Sequence, residues 1–174
     1  MSYCDIAPGH PYHGPYHDNE YGFPVDDDNA LFERLVLEIN QAGLSWLTIL
    51  KKRDAFRKAF ADFEIDRVAR FTEARKAKLM SNAGIIRNRQ KIEAAVENAK
   101  RIRKLGSFRE WLETHHPRSK DEWVKLFKKT FVFTGGEITS SFLLSIGYLP
   151  GAHDETCPVY ARVLRAKPRF IISA

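Results

Sequence analysis

Apolar positions recur along this chain at spacings of three and four residues, the period of one buried face of an α-helix, and nowhere alternate long enough to make a sheet. From Asp28 the segment NALFERLVLEINQ sets Leu31, Leu35 and Ile39 on one stripe, which predicts a helix to about Gln41 with Asp27 or Asp28 as its N-cap. AGLS interrupts it, and Ser45 can cap a second helix carrying Trp46, Ile49, Leu50, Phe56 and Phe60. DFEIDRVARFT predicts a short helix after Asp66, and EARKAKLMSN another. RNRQKIEAAVENAKRIRKL is long, with Ile92, Ala95, Val96, Ala99 and Ile102 marking its buried side. SFREWLETH and SKDEWVKLFKKTF follow, the latter opening with the capping-box spacing of Ser119 and Glu122, and GEITSSFLLSIG is the last helical stretch. The pattern predicts an all-α bundle in one domain over residues 1–174: an irregular segment 1–27, helices over 28–150 with a hairpin at 79–92, a loop-rich C-terminal segment 151–165 and a loosely held tail 166–174.

Composition narrows the class only a little. A chain of 174 residues is long enough to bury a real core, and its formal net charge of +6 favours polyanions, a hint of nucleic acid rather than a demonstration. The opening MSYCDIAPGH lacks a basic start followed by an apolar run, and no apolar stretch is long enough to cross a bilayer, so the expectation is a cytosolic protein with no membrane partner. Two cysteines make no disulfide framework. In a reducing compartment such thiols are buried, metal-bound or reactive.

Three constellations carry chemistry. Residues 1–27 are rich in Pro, Gly, His and Tyr and offer few aliphatic side chains to offset their ordering entropy, so something must pin them. Cys4 and His17 within this stretch, with His153 and Cys157 near the other end, form a two-thiolate, two-imidazole set that suits tetrahedral zinc with no open position. The alternative is chance placement, with Cys4 exposed and Cys157 in the core, and spacing alone does not decide between them. The second constellation is LMSNAGIIRNRQKI, in which two helical patterns are joined by a short turn centred on Gly84, among Arg87, Asn88, Arg89 and Lys91. Such a bend can seat a phosphate at the start of the following helix, or it can be an ordinary corner with solvated arginines. The third joins YHDNEYG, Tyr16 to Gly22, with LEINQAGLSWLTILKKR, Leu37 to Arg53. Glu38 is a lone acid in an apolar stretch. With Tyr16 and Trp46 it could form an aromatic pocket with one negative floor, suited to a flat cationic ligand; the plain readings are an ion pair for Glu38 and core packing for the rings.

Taken in order, YHDNEYG, LEINQAGLSWLTILKKR, NAGIIRNRQKI and the H-x3-C string near the end closely resemble the DNA-3-methyladenine glycosylase I family over about residues 1–165. The resemblance implies an all-helical, monofunctional glycosylase of the helix-hairpin-helix superfamily, with one structural zinc ion clipping the termini through Cys4, His17, His153 and Cys157. It implies that Glu38 meets the adenine edge as the key catalytic acid, with Tyr16 beside it, Trp46 as the ring on which the base stacks, and Tyr21 in the same pocket. Gly43 and Leu44 become the tip of a loop that enters the duplex. Gly84, Ile86, Arg87, Arg89 and Lys91 become the hairpin that grips the DNA backbone. The implied partner is double-stranded DNA carrying alkylated bases, 3-methyladenine first among them, and the implied setting is a bacterial cytoplasm, with action by a monomer at the nucleoid.

The sequence also departs from the family pattern. Ile6 stands where many members have tryptophan, His13 where a tyrosine is expected, Tyr21 in place of the usual tryptophan, and Glu137 where a small or hydroxylated residue is usual. These departures leave the clip and hairpin intact and bear on lesion preference. A second reading is a zinc-stabilised DNA-binding module that kept the scaffold and lost the chemistry. The retained Glu38, Tyr16 and Trp46 argue against it, since a module that only binds backbone has no use for a negative aromatic pocket.

Overall fold

Ten consecutive residues of one helix, Leu31 to Asn40, are buried, and the rest of the molecule is arranged around that helix. The computed structural model describes residues 1–172. In chain order its helices are α1 (Tyr3–Ile6), α2 (His13–Asn19), α3 (Asp28–Gln41), α4 (Trp46–Ala59), α5 (Ile65–Val68), α6 (Glu73–Met80), α7 (Arg89–Leu105), α8 (Phe108–His115), α9 (Lys120–Thr130), α10 (Gly136–Ser145) and α11 (Pro158–Arg165). No strand occurs among the described residues.

The predicted caps set the helix starts. Asp27 Oδ2 accepts the N–H of Ala30 at 2.8 Å, Ser45 Oγ accepts that of Thr48 at 3.2 Å, and Ser119 and Glu122 close a reciprocal capping box. Helix α3 packs against α4, α7, α8 and α10, and its apolar residues Leu31, Phe32, Leu35, Val36, Leu37 and Ile39 join one continuous core with Phe56, Phe63, Val96, Phe108 and Phe142. No helix among the described residues is long and apolar enough to cross a membrane.

Four local expectations change. GEITSSFLLSIG is not the last helical stretch, because α11 spans Pro158–Arg165 within the segment expected to be loop-rich, with Pro158 at its first position. Residues 1–27 are not irregular throughout, since they contain α1 and α2. A four-residue helix and a seven-residue helix that begins HGP are too short to display an apolar stripe, and tertiary contacts hold them instead. The helix expected after Asp66 begins one residue before it, at Ile65. The tail is tied down as far as it is described: Phe170 N–H donates to Gly147 O at 3.0 Å, Arg169 pairs with Glu113, and His116 Nε2 contacts Ile172 O at 2.9 Å. Ser173 and Ala174, the end of the tail expectation, lie outside the described residues.

Candidate active site and metal centre

Helix α3 buries four polar side chains, and their partners differ in a telling way. Glu33 accepts from Arg53 and Arg57. Arg34 donates to the hydroxyl of Tyr16, to Ser145 O and to Glu20. Asn40 donates to Val36 O. Glu38 alone has no hydrogen-bond partner among the described residues, although only 6% of its surface is exposed. Burial raises its pKa from the ordinary carboxylate value to about 8, a rise opposed by the Arg34 guanidinium.

Glu38 faces a cavity of about 180 Å³ whose other lining residues are Tyr3, Tyr16, Tyr21, Gln41, Trp46 and Ser141. The rings of Tyr16 and Trp46 lie 5.2 Å apart at 58°, and those of Tyr16 and Tyr21 lie 5.8 Å apart at 33°. Burial pushes the Tyr16 phenol upward and that of Tyr21 up to about 12, so both remain hydrogen-bond donors near neutrality. The wall that holds Tyr16 is braced from behind. Arg34 sits 5.0 Å from its ring centroid, and Glu20 joins Arg34 to Arg53 in a network continuing through Glu33 to Arg57. Sequence reasoning missed this network, because its members lie in three separate segments and carry no spacing signal. It also missed Tyr3, Gln41 and Ser141 as lining residues.

A wider groove of about 500 Å³ adjoins the cavity and shares Glu38, Gln41 and Ser141 with it; Gly43, Leu44, Gly135, Gly136 and Glu137 are among its other lining residues. Gly43 adopts φ +78°, a left-handed conformation that turns the loop outward, and Leu44 beyond it is 41% exposed. Glu137 lies both in this groove and in the first turn of α10, where a carboxylate also suits the helix dipole.

The hairpin joins α6 to α7, and its residues divide into two groups. Arg87 and Arg89 are exposed, with no carboxylate within ion-pair distance among the described residues. Three other expected backbone-gripping residues face elsewhere. The ammonium of Lys91 is buried and donates to Asn40 O at 2.8 Å and Ala42 O at 2.7 Å, so it holds the end of α3 rather than a phosphate. Ile86 is half-buried against the core. The N–H of Gly84 is taken by Asn82 Oδ1 at 2.9 Å, and a Cβ there would lie 3.0 Å from Ala55, so this glycine allows close packing on α4. Lys52 adds a second tie, donating to Ala83 O at 3.0 Å. The bend is thereby fastened to the loop that rims the cavity. Lys91→Met keeps the aliphatic stem but leaves two carbonyls unpaired, and a loss of about 1–3 kcal/mol of stability is expected in urea unfolding. An unchanged midpoint would show that these contacts do not hold the loop.

Cys4, His17, His153 and Cys157 come together at the other side of α2, their ligand atoms all within 4.8 Å of one another, in a cluster able to hold a metal ion. Cys4 Sγ lies 3.4 Å from His17 Nε2 and 3.7 Å from His153 Nδ1; Cys157 Sγ lies 3.7 Å and 3.8 Å from the same two nitrogens. The far nitrogen of each imidazole has its own acceptor, Asp18 Oδ1 at 2.7 Å for His17 and Tyr21 O at 2.6 Å for His153, which aims an unprotonated nitrogen at the centre. Gly22, at φ +84°, must be glycine for this junction to close, since a Cβ would lie 2.9 Å from Ala152 and 3.2 Å from His153.

The chain is similar to known proteins over most of its length. A family described as methyladenine glycosylase matches residues 7–123. The chain is 38% identical over 166 residues, 82% of its length and 89% of the relative's, to DNA-3-methyladenine glycosylase of Haemophilus influenzae. It is 45% identical over 100 residues, 58% of its length and 54% of the relative's, to DNA-3-methyladenine glycosylase 1 of Escherichia coli. Among solved structures, a tyrosine-to-phenylalanine variant of 3-methyladenine DNA glycosylase I in complex with 3-methyladenine superposes with a TM-score of 0.81 at 34% identity, covering 91% of this chain and 97% of that one.

Proposed function

The chain belongs to the methyladenine glycosylase family, and from that premise we propose how it acts as a base-excision glycosylase on alkylated adenine in DNA, 3-methyladenine above all. One observation carries the reading: Glu38 is a buried carboxyl with no hydrogen-bond partner among the described residues, set in a cavity walled by aromatic rings. Adenine methylated at N3 carries a delocalised positive charge within its nucleotide. Its glycosidic bond is therefore already weakened, and the base departs neutral. Extruding the nucleotide costs a few kcal/mol, least for damaged bases, and stacking on Trp46 with polar contacts to Glu38 and Tyr16 offsets that cost. Unmodified adenine gains no charge-dependent attraction from the carboxylate, so selection and bond cleavage have a common electrostatic source. As the C1′–N9 bond breaks its electron pair leaves with the base and positive charge moves to the sugar, toward the groove that Glu38 also lines; water adds at C1′ and releases one proton to solvent. Tyr21 completes the pocket.

In this reading α6, the bend and α7 act as a helix-hairpin-helix element, with Arg87 and Arg89 on backbone phosphates, while Gly43 and Leu44 enter the space left by the extruded nucleotide. Lys91, Gly84 and Ile86 set the shape of that surface. The four-residue cluster holds structural zinc, one ion per chain. Zinc–sulfur bonds of about 2.3 Å and zinc–nitrogen bonds of about 2.0–2.1 Å give a tetrahedral S···N edge of roughly 3.6 Å. The observed separations run from 3.4 to 3.8 Å. The ion supplies a cross-link between the N-terminal and C-terminal segments and takes no part in the reaction. The protein acts as a monomer on chromosomal DNA in the bacterial cytoplasm.

Incubation with methylated DNA followed by chromatography of the released bases tests the activity. Free 3-methyladenine is the expected product, and no release by the metal-loaded protein overturns the reading. Affinity for undamaged duplex should fall steeply with salt. The slope of log K against log salt should decrease by about one for each of Arg87→Ala and Arg89→Ala; an unchanged slope would remove those residues from the interface.

A further inference from the structure

Tyr3 belongs to no motif in the sequence, yet its ring lines the same cavity as Glu38 and Trp46. It is held there from three sides. Its ring packs edge-on against Tyr21 at 5.3 Å, His13 at 5.4 Å and His17 at 5.5 Å. Its hydroxyl is in hydrogen-bond contact with His13 Nδ1 at 3.0 Å. His13 is itself fixed: its ring lies 4.6 Å from that of His10, whose Nδ1 accepts the backbone N–H groups of Tyr12 and His13, each at 3.1 Å. Ile6, on the same short helix as Tyr3, is 47% exposed and lines no part of the cavity, so the aromatic contribution of α1 to this wall comes from Tyr3 alone. The indole N–H of Trp46 is buried and lies beside the Tyr3 hydroxyl, with no acceptor that meets hydrogen-bond geometry among the described residues.

We propose that Tyr3 is a base-contacting, specificity-determining residue of this protein and that His13 is a positioning residue acting through the Tyr3 hydroxyl. Three phenols and one indole then surround a single carboxyl. The extruded base is gripped by ring faces and edges, with only Glu38, Gln41 and Ser141 adding other polar groups. A flat methylated purine is the ligand this wall suits: within its nucleotide it is cationic and attracted to aromatic quadrupoles, and as the released neutral base it still stacks on the rings. The inference rests on reading the cavity as the base pocket.

The test is binding of free 3-methyladenine to the full-length, metal-loaded chain, with metal content measured for every variant because Tyr3 adjoins Cys4. Tyr3→Leu should weaken binding roughly tenfold through loss of the ring contact. Tyr3→Phe should weaken it by a smaller factor, and His13→Ala by the same factor as Tyr3→Phe. Combining His13→Ala with Tyr3→Phe should cost nothing beyond either change alone, whereas a general structural role for His13 would add a further loss. Wild-type binding with undiminished affinity in both Tyr3→Leu and Tyr3→Phe overturns this inference alone. Additive losses in the double variant overturn the role of His13. Failure of the wild type to bind the base overturns the pocket assignment itself.

Discussion

Glu38→Gln is expected to lower release of 3-methyladenine by on the order of a hundredfold, while affinity for undamaged duplex stays within about twofold of wild type. The substitution keeps the shape of the side chain and removes the charge that a cationic base would meet. The pH dependence follows from the same burial. In the empty pocket the carboxyl ionises only near pH 8, so kcat/KM should rise with pH and level off above that point. One pH unit below it only about a tenth of the free protein carries the carboxylate, and kcat/KM should be about tenfold under its plateau. Glu38→Gln should abolish this rising limb. The sign for stability is opposite. Between the ordinary carboxylate value of 4.5 and about 8 the folded protein retains a proton that the unfolded chain has released, so stability falls as pH rises through that window. Glu38→Gln should therefore be the more stable protein at pH 8 in thermal unfolding. Undiminished base release by the variant would remove Glu38 from its assigned role.

Loss of the proposed zinc ion is expected to have the second large effect. Denatured protein should yield about one zinc ion per chain. Cys157→Ala, or removal of the ion by a chelator, should lower Tm by on the order of 10 °C, since α1, α2 and the segment before α11 have little other apolar anchorage. The effect reaches the pocket through adjacency in the chain: Tyr3 precedes Cys4, Tyr16 precedes His17, and the carbonyl of Tyr21 accepts from His153. Base binding should accordingly weaken along with stability, whereas Cys157→Ala with an unchanged Tm and full base affinity would show that the four residues only lie near one another.

How far these features were legible in the sequence depended on the range of the interactions that make them. Helices α3, α4, α7 and α9 announced themselves because stripe and cap are local, and Asp27, Ser45 and the Ser119–Glu122 box mark the starts of α3, α4 and α9. The cluster of Cys4, His17, His153 and Cys157 was visible as a donor set but needed the fold to bring its two halves together. Glu38 stood out as an acid in an apolar run. Its lack of a partner did not, because an ion pair like that of Glu33, five residues earlier on the same helix, would look identical in sequence. Lys91 misled for a related reason. A lysine beside two arginines on a basic bend looks like a phosphate ligand, and only the fold shows its ammonium consumed by the carbonyls of Asn40 and Ala42. Tyr3 had no signal of its own, since its place in the wall is inherited from the neighbouring Cys4 of the four-residue cluster.

The most direct measurement of the central claim is a crystal structure of the protein with free 3-methyladenine. The purine is predicted to stack on the indole of Trp46 with an edge at the carboxyl of Glu38 and with the Tyr3 and Tyr16 rings closing over it. A base bound anywhere else, with that cavity left unfilled, would contradict it.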